Sequence, residues 1–261
     1  MTAPKIFAPE YYTHMAALES ASWWNSGMRD LADRLLSSQP LPASGTMLDV
    51  GCGSGQTMSW FRSRHPGWKT TGIDVAPEGL AAAAAAGEDV LEASALKLPF
   101  PSASIDVVIT FDVLQHLPLE GGDRQALREI RRVLRPGGWL LIRTNAQALP
   151  YTADDPAYNF HKYDSAELRE KVETAGFTVQ RLGRVNGLLG LAEIPRELRA
   201  RDRAHGGYVG LLSTVPRRGV AWHVKRTWLR LEGMLVAAGI SIPLGRTHLV
   251  LARARTGEQP T

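Results

Sequence analysis

The sequence predicts an α/β protein built on a doubly wound, mostly parallel sheet, and three observations predict it. Short apolar runs alternate with longer helical stretches from about residue 46 to residue 182, the pattern of strand–helix–strand crossovers. A glycine-rich turn, Gly51 to Gly55, separates the first strand from the first crossover helix. An acidic residue, Asp74, ends the next strand nineteen positions after Gly55.

In order, TMLDVG (46–51) reads as a buried strand, QTMSWFRSRH (56–65) as a helix stopped by Pro66 and Gly67, and TTGIDV (70–75) as the second strand. PEGLAAAAAAG (77–87) is a helix with Pro77 near its start, DVLEA (89–93) a third strand and SIDVVITF (104–111) a fourth. DRQALREIRRVL (123–134) places apolar residues at 127, 130, 133 and 134, the stripe of an amphipathic helix, and RPGG should stop it before the strand WLLIRT (139–144). SAELREKVETAG (165–176) gives a further helix, FTVQRL (177–182) a sixth strand and HLVLARA (248–254) a seventh. The expected domains are an N-terminal helical lid at 1–45, the sheet domain at 46–182 and 248–255, and a helical cap inserted at 183–247, too long for a hairpin loop.

Composition narrows the classes. Thirty Lys and Arg against 26 Asp and Glu leave a formal charge of +4, so nucleic acid is not the expected partner. The basic residues cluster, with eleven between 181 and 230 against Glu193, Glu197 and Asp202. One cysteine, Cys52, provides neither a disulfide nor a metal cluster, and a reducing cytoplasm is expected. The start, MTAPKIFAPEYY, lacks a charged segment followed by an apolar one, and no uncharged apolar run approaches the roughly 18 residues of a membrane helix, so neither export nor membrane insertion is expected.

The run LDVGCGSGQT (48–57) carries the strongest functional signal. Gly51, Gly53 and Gly55 permit backbone angles and an approach that side chains would block, the helix start beyond them offers free N–H groups, and Asp74 can accept both hydroxyls of a ribose. The spacing is G-x-G-x-G, with Gln56 where a dinucleotide fingerprint has its third glycine, which argues against a nicotinamide-dependent oxidoreductase. A cofactor-binding protein without catalysis is the other alternative.

LDVGCGSGQT, GIDVA, LPFPSASIDVV, VLQHL and RVLRPGGWLLI in this order resemble the successive motifs of class I S-adenosylmethionine-dependent methyltransferases, in particular the group acting on small molecules. ALESASWWNSGMRDLADRLL (17–36) and WLRLEGMLVAAGISIPLGRTHLVLARA are similar to the entry helix, with its Trp pair, and the closing segment of a subset of these enzymes. The resemblance implies a seven-stranded sheet with its last strand antiparallel and S-adenosylmethionine as cofactor. It also implies that Asp49 orients the loop, that Gly51 and Gly53 approach the methionine part, that Asp74 holds the ribose and that Val75 packs on the adenine. Ser94 stands where the family usually has an acid for the adenine amino group. Cys52, Gly55, Ala95 and Phe111 complete the expected cofactor set.

Methyl transfer from a sulfonium is an in-line displacement that needs alignment and exclusion of water, and no histidine–carboxylate pattern suggests a metal, so metal independence is expected. A base for the acceptor's proton should lie near the carboxyl end of the fourth or fifth strand. His116 follows the fourth strand within a turn and is the candidate, its alternative role being to orient the following helix; Asp112, Gln115, Arg143, Thr144 and Asn145 are read as structural polar groups. Aromatic clusters suit the walls of an acceptor site: Tyr11, Tyr12, Trp23 and Trp24 in one, and Tyr151, Tyr158, Phe160, His161 and Tyr163 in the other. From these the expected acceptor residues are Trp23, Trp24, Tyr151, Tyr158 and His161, together with Arg29, and of the Trp pair one should enter the core while the other faces the pocket. The expected activity is O-methylation of a small molecule in specialised metabolism, with N- and C-methylation as alternatives, by a monomer or homodimer. The basic cap suggests an acceptor that is anionic or delivered on an acidic carrier.

Overall fold

The computed structural model describes residues 21–147, 161–187, 219–240, 242 and 244–257. Its centre is one seven-stranded sheet in the order β3-β2-β1-β4-β5-β7-β6. The strands are β1 (Gly45–Val50), β2 (Trp68–Asp74), β3 (Val90–Glu92), β4 (Ile105–Phe111), β5 (Leu134–Asn145), β6 (Phe177–Val185) and β7 (Thr247–Ala254). β1 to β5 pair in parallel, and β7 lies antiparallel between β5 and β6. The chain therefore builds outward from β1 through β2 to β3, then returns to place β4 on the other side of β1. Between β1 and β4 the strand order reverses, and the carboxyl ends that flank this switch point leave a crevice for a ligand.

Alternation along the central strands feeds two cores. Leu48, Val50, Val108, Leu140 and Ile142 pack on helices α4 (Gly122–Val133) and α5 (Ser165–Thr174) through Ala126, Leu127, Ile130, Leu168 and Val172. Met47, Val107, Ile109 and Leu141 point the other way, into a core with α1 (Trp23–Ser37), α2 (Gln56–Arg64) and α6 (Val220–Ala237). The central parallel strands β1, β4 and β5 are covered on both faces, which is why they read as continuous apolar runs. Helix α3 (Pro77–Ala85) follows β2 with its proline in the first turn, and α5 is started by a capping box between Asp164 and Glu167.

The structure departs from expectation in three places. RPGG does not separate α4 from β5, because strand pairing resumes at Leu134 and the segment bulges out between the pairs Ile105–Leu134 and Val107–Trp139, with Gly137 at φ +79°. β6 continues through residues 183–185, which the sequence assigned to the cap. Gly183 explains the extension, since a Cβ there would stand 2.5 Å from Val236 Cγ1 of α6, so the helix lies directly on the strand. The remaining described part of 183–247 is mainly α6, which packs against α1 with Gly27 under Leu229 and Gly233 under Leu31. Asp30 of α1 binds both Arg226 and Arg230 of α6, at 2.7 and 2.8 Å, so two of the clustered cations are spent on helix pairing. Arg196, Arg199, Arg201, Arg203, Arg217 and Arg218 lie outside the described residues.

Third, neither Trp of the pair is fully enclosed: both are half-buried and packed against the core. The buried stripe of α1 is two residues wide, with Gly27 and Met28, Leu31 and Ala32, then Leu35 and Leu36, and a four-residue step back from its first pair reaches Trp23 and Trp24 together. Their rings meet edge to face at 6.0 Å.

Candidate active site at the strand switch point

The turn after β1 is shaped by glycine. Gly51, Gly53 and Gly55 all take positive φ, at +78°, +49° and +77°, and the N–H groups of Gly51 and Cys52 both reach Ile73 O of β2, at 2.8 and 2.9 Å. A Cβ at Gly51 would lie 2.1 Å from Val113 Cγ2, so the turn after β1 touches the turn after β4 across the switch point. At Gly53 an added Cβ would meet nothing within 4 Å, leaving an open side to the loop. Asp49, 2% exposed, sits beneath it at the end of β1.

Asp74 makes two contacts that the sequence did not reveal. Its carboxylate accepts from Gly53 N at 2.8 Å and from Ala76 N at 3.0 Å, tying the glycine loop to the end of β2. Val75, beside it, is 64% exposed, an apolar side chain standing in solvent where a flat apolar ring could cover it. Ser94 accepts at Oγ from Leu96 N at 3.2 Å. Two expected contacts can be offered only by backbone. Ala95 is packed in one core and Cys52 in the other, with the Cys52 sulfur under β2, 2.7 Å from where a Gly72 Cβ would be. Burial first, then the charges of Asp49 and Asp74, push the thiol well above its usual range, so it stays protonated and unreactive.

His116 lies in a one-turn 3-10 helix, Leu114–His116. Gln115, 1% exposed, accepts at Oε1 from Thr144 Oγ1 at 3.1 Å and Asn145 N at 3.0 Å, which turns its NH2 toward His116 Nε2 at 3.4 Å. Tyr163 braces the same turn from below, its hydroxyl 3.1 Å from both Leu114 O and Asp123 Oδ2, and Lys171 holds Asp123 at 2.6 Å. His161 joins this scaffold: its N–H donates to Gln115 O at 2.8 Å and its ring pairs with Glu167 at 2.9 Å. Phe111 lies under the Arg143 guanidinium at 4.7 Å, and Arg143 pairs with Asp112. Arg29 sits on the same helix as the Trp pair, half-buried. Tyr11, Tyr12, Tyr151, Tyr158 and Phe160 lie outside the described residues. Among those described, no group of three His, Cys, Asp or Glu residues could hold a metal, and no helix is long and apolar enough to cross a membrane.

A glycine loop and a ribose-type acid at the switch point of a sheet with this order and an antiparallel β7 define a nucleotide-cofactor fold of the class I methyltransferase type. Residues 48–142 match the family described as the methyltransferase domain, so this stretch of the chain is a methyltransferase domain. Among curated relatives, a protein of Mycolicibacterium smegmatis described as a probable S-adenosylmethionine-dependent methyltransferase is 40% identical over 125 residues, 46% of this chain and 44% of that protein. The tRNA (carboxymethyluridine(34)-5-O)-methyltransferase of Arabidopsis thaliana is 33% identical over 104 residues, 40% of this chain and 25% of that one. The 27-O-demethylrifamycin SV methyltransferase of Amycolatopsis mediterranei is 36% identical over 121 residues, 43% of each. The chain thus spans less than half the length of these relatives.

Proposed function

We propose that this chain transfers the methyl group of S-adenosylmethionine to a small-molecule acceptor, with oxygen the first atom expected to receive it. The observation that carries the reading is the contact of the Gly51 turn with the Val113 turn, which sets a cofactor loop directly beside a polar strand end that can face an acceptor. When bound, S-adenosylmethionine supplies a methyl group made electrophilic by its sulfonium. The residues present fit it: Gly53 leaves room for the methionine part, Asp74 retains lone pairs for ribose hydroxyls while bracing the loop, and Val75 offers an apolar surface to the adenine. Ser94 Oγ can accept from the adenine amino group in place of an acid. His116 serves to set the turn beside Gln115, and Trp23, Trp24 and Arg29 border the acceptor side from α1.

The expected lid at 1–45 and a cap following β6, with a preference for an anionic or carrier-bound acceptor, belong to this proposal. The acceptor atom and class are supported by the rifamycin-type relative, which acts on a small molecule at oxygen, whereas the Arabidopsis relative acts on tRNA. Incubation with methyl-labelled S-adenosylmethionine and either a small-molecule extract or total tRNA separates the two. Label in a small product whose fragments place it on oxygen supports the reading, and label in RNA overturns it.

A further inference from the structure

The exit of β4 holds an ion pair between Asp112 and Arg143. Asp112 adopts φ +60°, a left-handed conformation that costs a residue with a side chain about 1–2 kcal/mol, and strain of this kind concentrates at functional sites. Its own N–H donates to Arg143 O at 2.9 Å, fixing that backbone against the end of β5. The Arg143 guanidinium binds Asp112 Oδ2, stacks on Phe111 and reaches Asn25 Oδ1 of α1 at 3.4 Å. Three elements thus orient one carboxylate.

The pair is asymmetric. The Arg143 side chain is 10% exposed and that of Asp112 39%, so the cation is enclosed and the anion opens outward. Asp112 Oδ1 has no protein partner among the described residues, and the adjoining residue is Val113, whose methyl touches the Gly51 loop. An accessible carboxylate oxygen therefore stands one residue from the cofactor loop, its partner oxygen held by an enclosed guanidinium. His116, further along, turns its Nε2 toward the Gln115 amide instead.

Resting on the methyl-transfer reading, we propose that Asp112 is the catalytic carboxylate that meets the acceptor's hydrogen, that Arg143 positions it, and that the acceptor bears O–H or N–H at the atom to be methylated. In the step, the lone pair of that atom forms a bond to the methyl carbon while the carbon–sulfur bond breaks with its electrons left on sulfur. The hydrogen of the acceptor atom passes as a proton to Asp112 Oδ1 and from there to water, so no further reactant is needed. Before the step, a neutral hydroxyl or amine donates a hydrogen bond to the same oxygen, which aligns its lone pair.

The test uses the full chain and two readouts. Calorimetry measures S-adenosylmethionine affinity of the parent, Asp112→Asn and His116→Ala. Nuclear magnetic resonance follows the Arg143 Nε–H of protein saturated with S-adenosylhomocysteine while phenol or ethylammonium, and anisole as a probe without a donor hydrogen, is added. Phenol or ethylammonium should shift that resonance in the parent, anisole should not, and Asp112→Asn should abolish the response while cofactor affinity stays within about twofold. With any acceptor that turns over, Asp112→Asn should lower kcat about a hundredfold, exceeding the loss from His116→Ala, and adding Arg143→Lys to Asp112→Asn should cost little more. If neither donor probe moves the resonance, if the shift persists in Asp112→Asn, or if His116→Ala is the more damaging, the assignment of Asp112 is overturned. A folded parent that fails to bind S-adenosylmethionine overturns the underlying methyl-transfer reading as well, which marks that failure apart.

Discussion

Gly51→Ala tests the contact across the switch point. The new methyl would stand 2.1 Å from Val113 Cγ2, whereas carbon atoms rest at about 3.5–4.0 Å, so Val113 or the loop must move by more than an ångström. Val113 is packed against the core below, and overpacking of this kind costs about 1–3 kcal/mol. The backbone at φ +78° adds about 1–2 kcal/mol for any residue with a Cβ. The expected loss of stability is therefore about 2–5 kcal/mol. Val113→Ala removes the offending methyl but not the backbone strain, so the double variant should recover the overpacking part and remain about 1–2 kcal/mol below Val113→Ala. Denaturant melts of the four proteins measure the coupling, and calorimetry should show cofactor affinity about tenfold weaker in Gly51→Ala and partly restored in the double variant. Simple additivity of the two substitutions, or a loss below about 0.5 kcal/mol for Gly51→Ala, would refute the reasoning.

Two further perturbations probe the scaffold around the site. Burial lowers the pKa of His248 to about 4 despite its hydrogen bond to Tyr163 O, so between about pH 6.5 and 4 the unfolded chain binds a proton that the folded one refuses. Stability present at neutral pH is then lost as pH falls, by about 2 kcal/mol between pH 7 and 5, and His248→Gln should show a smaller decline in paired denaturant melts. Glu232, 4% exposed on α6, accepts from Asn186 N, Gly187 N and Trp228 Nε1 and so pins the segment leaving β6. Glu232→Gln must aim an NH2 group at one of those donors and should cost about 1–3 kcal/mol by the same melts, whereas an unchanged midpoint would show that these bonds contribute nothing net.

The glycine turn and the acid that ends β2 were legible because their signals are local. Gly51, Gly53, Gly55 and Asp74 fall within 24 residues, and glycine at a strand-to-helix turn has a direct conformational meaning. The strands were legible for a similar reason, being short apolar runs bounded by turn residues. What escaped depends on partners far apart in the chain. Arg143 and Asp112 are 31 positions apart, and Gln115 meets Thr144 across 29, so neither pairing leaves a periodic trace. The extension of β6 escaped because Gly183 reads as a break, although its missing side chain is what lets α6 approach. The like burial of Trp23 and Trp24 escaped because adjacent helix positions were expected to diverge, while the buried stripe of α1 is wide enough for both to pack against the core.

Methyl transfer by this chain requires that Asp74 and the loop it braces hold S-adenosylmethionine. The decisive measurement is isothermal titration of S-adenosylmethionine into the parent and into Asp74→Ala, with folding of the variant checked by circular dichroism. The carboxylate accepts from Gly53 N and Ala76 N, and hydrogen bonds to a charged group contribute about 1.5–3 kcal/mol, so the parent should bind at one site and the variant about ten- to a hundredfold more weakly. A parent that does not bind S-adenosylmethionine, or a folded Asp74→Ala with the parent's dissociation constant, would contradict it.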